Sequence, residues 1–328
     1  MATSGSWNLS LTAADIIKLA LEDIGLLRVG ATSVPNNYTD AALRRLNVIV
    51  KQWQGTSDSA PGMKVWTRQS IVLFLAEGQQ KYLVGPASTD ARATTAYGRT
   101  TIDAAEAISQ TTISVTATTD TTTDPGTTVT MTASDIIGIE QDDGTIHWST
   151  ISSVAAGDTV TIASGITVAA AVGNYVWWFT SRAQRFPVIE SATLLDENRA
   201  ETGLYIYRDP DEYREGVADK YADGDPTSIL VEPLRITTRI TLDTQPTDVT
   251  KQIVLNVLYP AEDYDASTDD IAFPQEWYAA LEWELAKRCA TMFGRPWTPE
   301  MESNWLISTT IARNLNPEVS NAYFQCNA

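Results

Sequence analysis

The 328-residue chain has one histidine, so any histidine-based catalysis must run through His147. It sits in the run IGIEQDDGTIHWSTI, between Ile146 and Trp148, where the residues alternate like a strand. Ser-His-Asp or Cys-His chemistry needs a nucleophile held within hydrogen-bond reach of that ring. No sequence feature brings a Ser or Cys to it. The two cysteines, Cys289 and Cys326, are too few for a disulfide framework and suggest synthesis in a reducing cytosol. Cys289 lies in a helical pattern and reads as a small core residue. The chain contains no P-loop, no G-x-G-x-x-G and no Cys/His metal cluster. Acids gather at Asp142-Asp143, at Asp209–Glu212, and at Asp263, Asp265, Asp269 and Asp270. None has the spacing of a Ca²⁺-binding EF-hand loop with its terminal Glu. A paired-carboxylate glycosidase needs only two acids at a set separation, and among 41 acids that signal has little specificity. A hairpin turn, a helix cap and a solvated loop account for the three clusters. The expectation is a protein with no catalytic, cofactor-binding or metal-binding residues.

The net charge of −18 and a pI near 4.4 argue against tight non-specific binding to nucleic acid, which needs clustered Lys and Arg to release counterions. Arg44-Arg45 is a pair and not a patch. No apolar run is long enough for a transmembrane helix. The opening MATSGSWNLS has neither a basic nor an apolar region of a signal peptide, so none is expected. The charge is also unevenly placed. From Thr100 to Ser181 there is no Lys or Arg, yet there are nine acids: Asp103, Glu106, Asp120, Asp124, Asp135, Glu140, Asp142, Asp143 and Asp158. A sharp change of composition that later reverts reads as one domain inserted into another. The acids of this window are expected to face outward, as solubility charges or a docking surface.

The elements around these residues follow from periodicity. Thr12 caps a helix to Leu27 with Ile16, Ala20 and Ile24 on one stripe; Thr39 caps a second helix to Gln54, with Gly55 as its stop. Ser70–Leu75 and Lys81–Val84 read as strands of one hairpin with Gly78 in its turn. Within 110–132, twelve of 23 residues are Thr, but Ile113, Val115, Val129 and Met131 alternate with polar residues, which favours strands. Asp143-Gly144 is a hairpin turn between Ile139 and Ile146. With DTVTIAS and NYVWWFT, the window holds five or six short strands, enough for a small antiparallel sandwich or barrel. Neighbouring strand residues face opposite sides of a sheet, so at least one of Trp177 and Trp178 lies off the insertion's own core. It packs against the rest of the chain or a neighbouring subunit.

After Arg182 come a strand at Pro187–Leu195 and a helix opened by Asp209-Pro210, with Glu212 completing a capping box and Tyr213, Val217 and Tyr221 on its face. Strands follow at Ser228–Glu232, Leu234–Leu242 and Gln252–Tyr259. Pro274 opens a helix with the stripe Trp277, Leu281, Leu285, Cys289 and Met292, stopped by Gly294. Thr298-Pro299-Glu300 opens a last helix with Met301, Trp305, Ser308, Ala312 and Leu315 on one face, and Pro317 blocks its continuation.

The flanking segments resemble phage head-to-tail adaptor proteins, the tail accessory factors of short-tailed phages. The resemblance lies in TDAALRRLNVIVKQWQ, KVWTRQSIVLFLAEGQQKYLVGP, EYREGVADKYADGDPTSILVEP, Leu258–Pro260 and DDIAFPQEWYAALEWELAKRCATMFGRP, in that order, with Arg185-Phe186-Pro187 at a strand start. It covers most of 9–99 and 182–297; the window 100–181 departs from simpler members and looks like the β insertion of some adaptors. The resemblance implies an α+β fold: a helical adaptor core with a small β-sheet region over 1–99 and 182–310, an inserted all-β domain over 100–181, and an extended tail over 311–328. It implies a structural virion protein of the neck, assembled in the bacterial host cytoplasm. Such a protein forms a ring, usually dodecameric, under the portal protein, extends the DNA channel and carries the tail nozzle or other tail components. Genomic double-stranded DNA would pass through without specific binding, and an acidic wall would repel it over about 8–10 Å. Tyr323 and Phe324, with Trp305, would be the portal-docking residues. Two other readings remain open: a cell-wall glycosidase acting at infection, and a host- or carbohydrate-binding β module displayed on a scaffold.

Overall fold

The computed structural model describes residues 9–53, 67–86, 92–123, 128–196, 198–219, 221–259 and 261–314. Gly55, Leu315, Pro317, Tyr323, Phe324 and Cys326 lie outside them. The chain divides into two units, one formed by residues 1–67 and 260–328, the other by 68–259.

The first unit is helical. Helix α1 (Ala13–Asp23) opens on a complete capping box, in which Thr12 accepts from the Asp15 backbone and Asp15 accepts from the Thr12 backbone at 3.0 Å. Helix α2 (Asn36–Trp53) begins earlier than the sequence suggested. Pro35 pre-sets its first turn, and Thr39 sits one turn inside with its hydroxyl donating to the Pro35 carbonyl. Their stripes of Ile16, Ile17, Leu21, Leu46 and Ile49 meet Leu281, Leu285 and Cys289 in one core.

The second unit is almost entirely β. Its strands are β1 (Thr67–Phe74), β2 (Lys81–Val84), β3 (Arg92–Thr94), β4 (Gly98–Thr101), β5 (Thr112–Ser114), β6 (Thr119–Asp120), β7 (Val129–Thr130), β8 (Ile136–Glu140) and β9 (Ile146–Ala155). They continue with β10 (Thr159–Ile162), β11 (Tyr175–Phe179), β12 (Val188–Leu195), β13 (Glu201–Gly203), β14 (Tyr205–Tyr207), β15 (Ser228–Pro233), β16 (Thr238–Leu242) and β17 (Gln252–Tyr259). The short helix α3 (Pro210–Gly216) follows β14. Back in the helical unit, a 3-10 turn at Gln275–Trp277 leads into α4 (Tyr278–Met292), and α5 (Pro299–Asn314) follows.

Two sheets of the β unit form a sandwich: β13-β12-β17-β1-β3 and β14-β15-β16-β2. Ile71, Leu73, Tyr82, Phe186, Ile229, Ile240 and Leu255 fill the space between them. Strand β1 is buried on both faces, which explains its unbroken apolar run IVLFL. A third sheet, β4-β11-β8-β9-β10-β5, curls into a half-barrel until Ile102, just past β4, bridges Val115, just past β5. Asp103 N–H donates to the Ser114 carbonyl at 3.0 Å and Thr116 N–H to the Thr101 carbonyl at 2.9 Å, so the two edges satisfy each other. Ile113, Ile137, Ile139, Ile151, Val160, Val176 and Trp178 line the interior.

These observations overturn the expected fold class. Seventeen strands in four sheets, against five α-helices among the described residues, do not make a helical adaptor core with a small β region. The strands of the sandwich come from 68–99 and 182–259, which the resemblance had assigned to that core. The five α-helices equal the number that periodicity suggests; what was misjudged is how much of the flanking sequence is β, because strands as short as β3, β13 and β14 hold too few residues to show a pattern.

Four local expectations also change. Strands β1 and β2 do not pair with each other: β2 pairs with β16, Ile240 facing Tyr82, and residues 75–80 carry the chain from one sheet to the facing one. A five-residue Gly-containing loop is equally compatible with either path. Strand β16 starts only at Thr238, because Leu234–Thr237 is a turn closed by a 2.9 Å bond from the Leu234 N–H to the Thr237 carbonyl. At α3, Asp209 caps the Asp211 N–H, but Glu212 accepts from the Tyr205 hydroxyl instead of completing a capping box. Tyr221 lies beyond that helix and is 79% exposed.

Candidate functional site

His147 does meet serines. Its Nε2 lies 3.2 Å from the Ser164 carbonyl oxygen and 3.3 Å from Ser164 Oγ, which is 2.9 Å from Ser149 Oγ. Ser149 shares a face of β9 with His147, and the barrel wall brings in Ser164 from the strand loop after β10. The arrangement is not a catalytic pair. An Nε2–H that donates to a carbonyl is unavailable as a base, and among the described residues no carboxylate contacts the other ring nitrogen. Cys289 is fully buried in α4, and burial pushes its thiol up to about 11, which makes it unreactive. Among the described residues no three metal-ligating side chains converge, and no helix is long and apolar enough to cross a membrane.

The half-buried carboxyls of Asp23 and Glu282 hydrogen-bond each other between α1 and α4. Burial first, and the neighbouring Asp23 second, push Glu282 up to about 8. Carboxyls in direct contact leave no room for a glycosidic oxygen and water between them, so the pair is a shared-proton contact and not a glycosidase site.

The acidic window has a structural explanation that the sequence hid. Seven of its eight described carboxylates take a backbone N–H: Glu106 from Ser114, Asp120 from Arg99 and Thr122, Asp135 from Thr132, Glu140 from Tyr175, Asp142 from Ala171, Asp143 from Thr145, and Asp158 from Thr118. Glu106, Asp120 and Asp135 are buried, which corrects the expectation that these acids all face outward. Short strands joined by long irregular connections leave many N–H groups without ladder partners, and carboxylates supply the acceptors. Asp120 also accepts from the Thr122 and Thr123 hydroxyls. Burial opposes its charge, but these hydrogen bonds outweigh burial and bring its pKa down to about 2.

Trp177 and Trp178 lie on opposite faces of β11. Trp178 enters the barrel interior, where its ring lies against Gly98; a Cβ there would sit 2.1 Å from it. Trp177 and Phe179 face Val72 and Phe74 of β1, with Phe74 and Phe179 stacked 5.9 Å apart. Trp305 binds within its own unit. Its indole N–H donates to Glu284 at 2.7 Å, and Lys287 Nζ sits 3.4 Å above its ring. It therefore fastens α5 to α4, while Leu306, Ile307 and Ile311 of α5 are each more than half exposed.

A further concavity of about 340 Å³ lies at the root of the β15–β16 hairpin, lined by Tyr205, Tyr207, Gly216, Asp219, Thr227 and Asp243 among others. Nothing in the sequence reading singled it out. The available signal was the alternation Tyr205-Ile206-Tyr207, which puts two tyrosines on one strand face with Ile206 packed toward the sandwich core. No family model and no curated protein matches the sequence.

Proposed function

We propose that the chain is a structural virion protein of a phage head-to-tail junction. It forms a ring beneath the portal protein, lets double-stranded DNA pass without binding it, and carries tail components. The reading includes no catalysis and no cofactor. Virion localisation and assembly in the bacterial cytoplasm belong to the same proposal. The observation that carries it is the outer face of α5. Leu306, Ile307 and Ile311 form an exposed apolar face on a helix whose inner face is already fastened by Trp305. Exposed apolar patches with polar surroundings mark protein-protein contact sites. The helix leads into residues 315–328, where Tyr323 and Phe324 supply two aromatic anchors. The net charge of −18 is compatible with a DNA conduit, since phosphates are repelled and not retained.

Replacing Leu306, Ile307 and Ile311 together by Ser, or removing residues 316–328, tests the reading. Each variant is expected to bind purified portal at least tenfold more weakly with its melting temperature unchanged. Unchanged portal affinity, or absence of any portal binding by the unaltered chain, would overturn it.

A further inference from the structure

The four-stranded sheet carries complementary features at its two ends. At the root of the β15–β16 hairpin is the concavity described above. Tyr205 and Tyr207 meet there at 73° with ring centroids 4.7 Å apart, and Tyr207 meets Tyr213 at 81° and 5.6 Å. Gly216 admits the Tyr207 hydroxyl: a Cβ at that position would lie 2.4 Å from it. Asp243, only 7% exposed, accepts from the N–H groups of Thr227 and Ser228, and among the described residues it makes no ion pair. Asp219 adds a second carboxylate to the lining, and no Lys or Arg is part of it. Asp243 also accepts from the Thr227 hydroxyl, and these neutral donors fix its carboxylate without cancelling its charge. Near-perpendicular tyrosine rings beside two carboxylates with no Lys or Arg in the lining suit a cation, which gains from the ring faces and from the charge together. A sugar is a poorer fit, because it stacks flat on one ring.

At the other end of the same hairpin is the turn Leu234–Thr237. Arg235 is exposed at its tip, and Ile236 beside it is 67% exposed. Strand β15 is six residues long, so tip and root are separated by about 20 Å. A plug and a socket on opposite ends of one element make a heterologous contact, the type that propagates around a ring.

We infer that Arg235 of one copy enters the Tyr205–Tyr207–Asp243 concavity of the next copy, with Ile236 covering the Tyr205 ring. This rests on the ring proposed above and names the contact that closes it. The occupant is a second copy of this chain, because the same hairpin that forms the socket presents an exposed guanidinium of matching charge.

The test has three arms. Mass photometry of the unaltered chain establishes whether it assembles. Arg235→Glu, a change in an exposed turn, is then compared with Arg235→Lys; the Glu variant is expected to need at least tenfold more protein to assemble, and the Lys variant to assemble nearly normally. Finally, Arg235→Cys with Asp219→Cys, in a Cys326→Ser background, is oxidised; a ladder of linked copies is expected, absent from either single cysteine. An assembled ring indifferent to Arg235→Glu, or a missing ladder, overturns the contact and leaves the ring reading standing. An unaltered chain that stays monomeric at all concentrations overturns the ring reading, and this contact with it. Binding of a chito-oligosaccharide that Tyr205→Ala abolishes, in a ring insensitive to Arg235→Glu, would give the concavity to a sugar instead.

Discussion

The barrel wall at 100–181 and the α4–α5 helix pair use carboxylates in opposite ways. In the barrel, acids bind backbone: Asp120 holds the N–H groups of Arg99, Thr122 and Thr123, and Glu140 holds that of Tyr175. In the helix pair, acids bind side chains: Glu302 pairs with Lys287 at 2.9 Å and accepts from the Trp297 indole, while Glu284 pairs with Arg288 and accepts from Trp305. Helices satisfy their own N–H groups through the i to i−4 ladder, so their acids are left for cations. Short strands with long connections do not, so their acids are consumed at loops. Seven carboxylates of the window are thus held by backbone N–H groups, without a Lys or Arg side chain from the window itself.

The largest test of this contrast is Asp120→Ala. It strips acceptors from three backbone N–H groups in a buried turn, and we expect a loss of about 3 kcal/mol. Amide exchange at Ile137, Ile139 and Val176 should speed up, while exchange at Leu281 and Leu285 stays the same. Equal acceleration in both regions would erase the distinction.

The second test is pH. Asp120 is lowered to about 2 from an ordinary 3.8, so its contribution is complete above the ordinary value and is lost as pH falls toward 2. Glu282 is raised to about 8 from an ordinary 4.5, so its contribution is complete below 4.5 and is lost as pH rises through 8. The helical unit is therefore expected to weaken between those values while the barrel does not. Glu282→Gln should remove the trend and stabilise the helical unit at pH 9 by about 1 kcal/mol, after allowance for screening of a half-exposed carboxyl. Parallel pH profiles for the two sets of amides would contradict this.

The smallest effect is expected from Lys287→Met, which removes a part-exposed ion pair and the cation above Trp305. A loss of about 1 kcal/mol, reduced in 1 M NaCl, is the expected result from denaturant unfolding.

Much of the local structure was legible. The Thr12 and Asp15 box, Pro210 after Asp209, the Asp143-Gly144 turn and the Gln252–Tyr259 strand follow from rules that act over a few residues. The candidate contact residues were less so. Helical spacing put Trp305 on a face of α5, but its partners Glu284 and Lys287 lie 21 and 18 residues earlier, and only packing brings them to it. Asp243 lies 36 residues after Tyr207 and meets Tyr205 and Tyr207 because β14 runs parallel to β15 and β16 returns beside it.

The sequence by itself determined the caps, the turns, the strand alternation and the acidic window, because each depends on neighbours within about one helical turn or one hairpin. Only the tertiary structure decided that β1 and β2 join different sheets, that the window curls until Ile102 meets Val115, and that its acids are spent on backbone N–H groups. Those outcomes depend on which distant strand offers a free edge or a missing acceptor, and no local pattern of residue types encodes that choice.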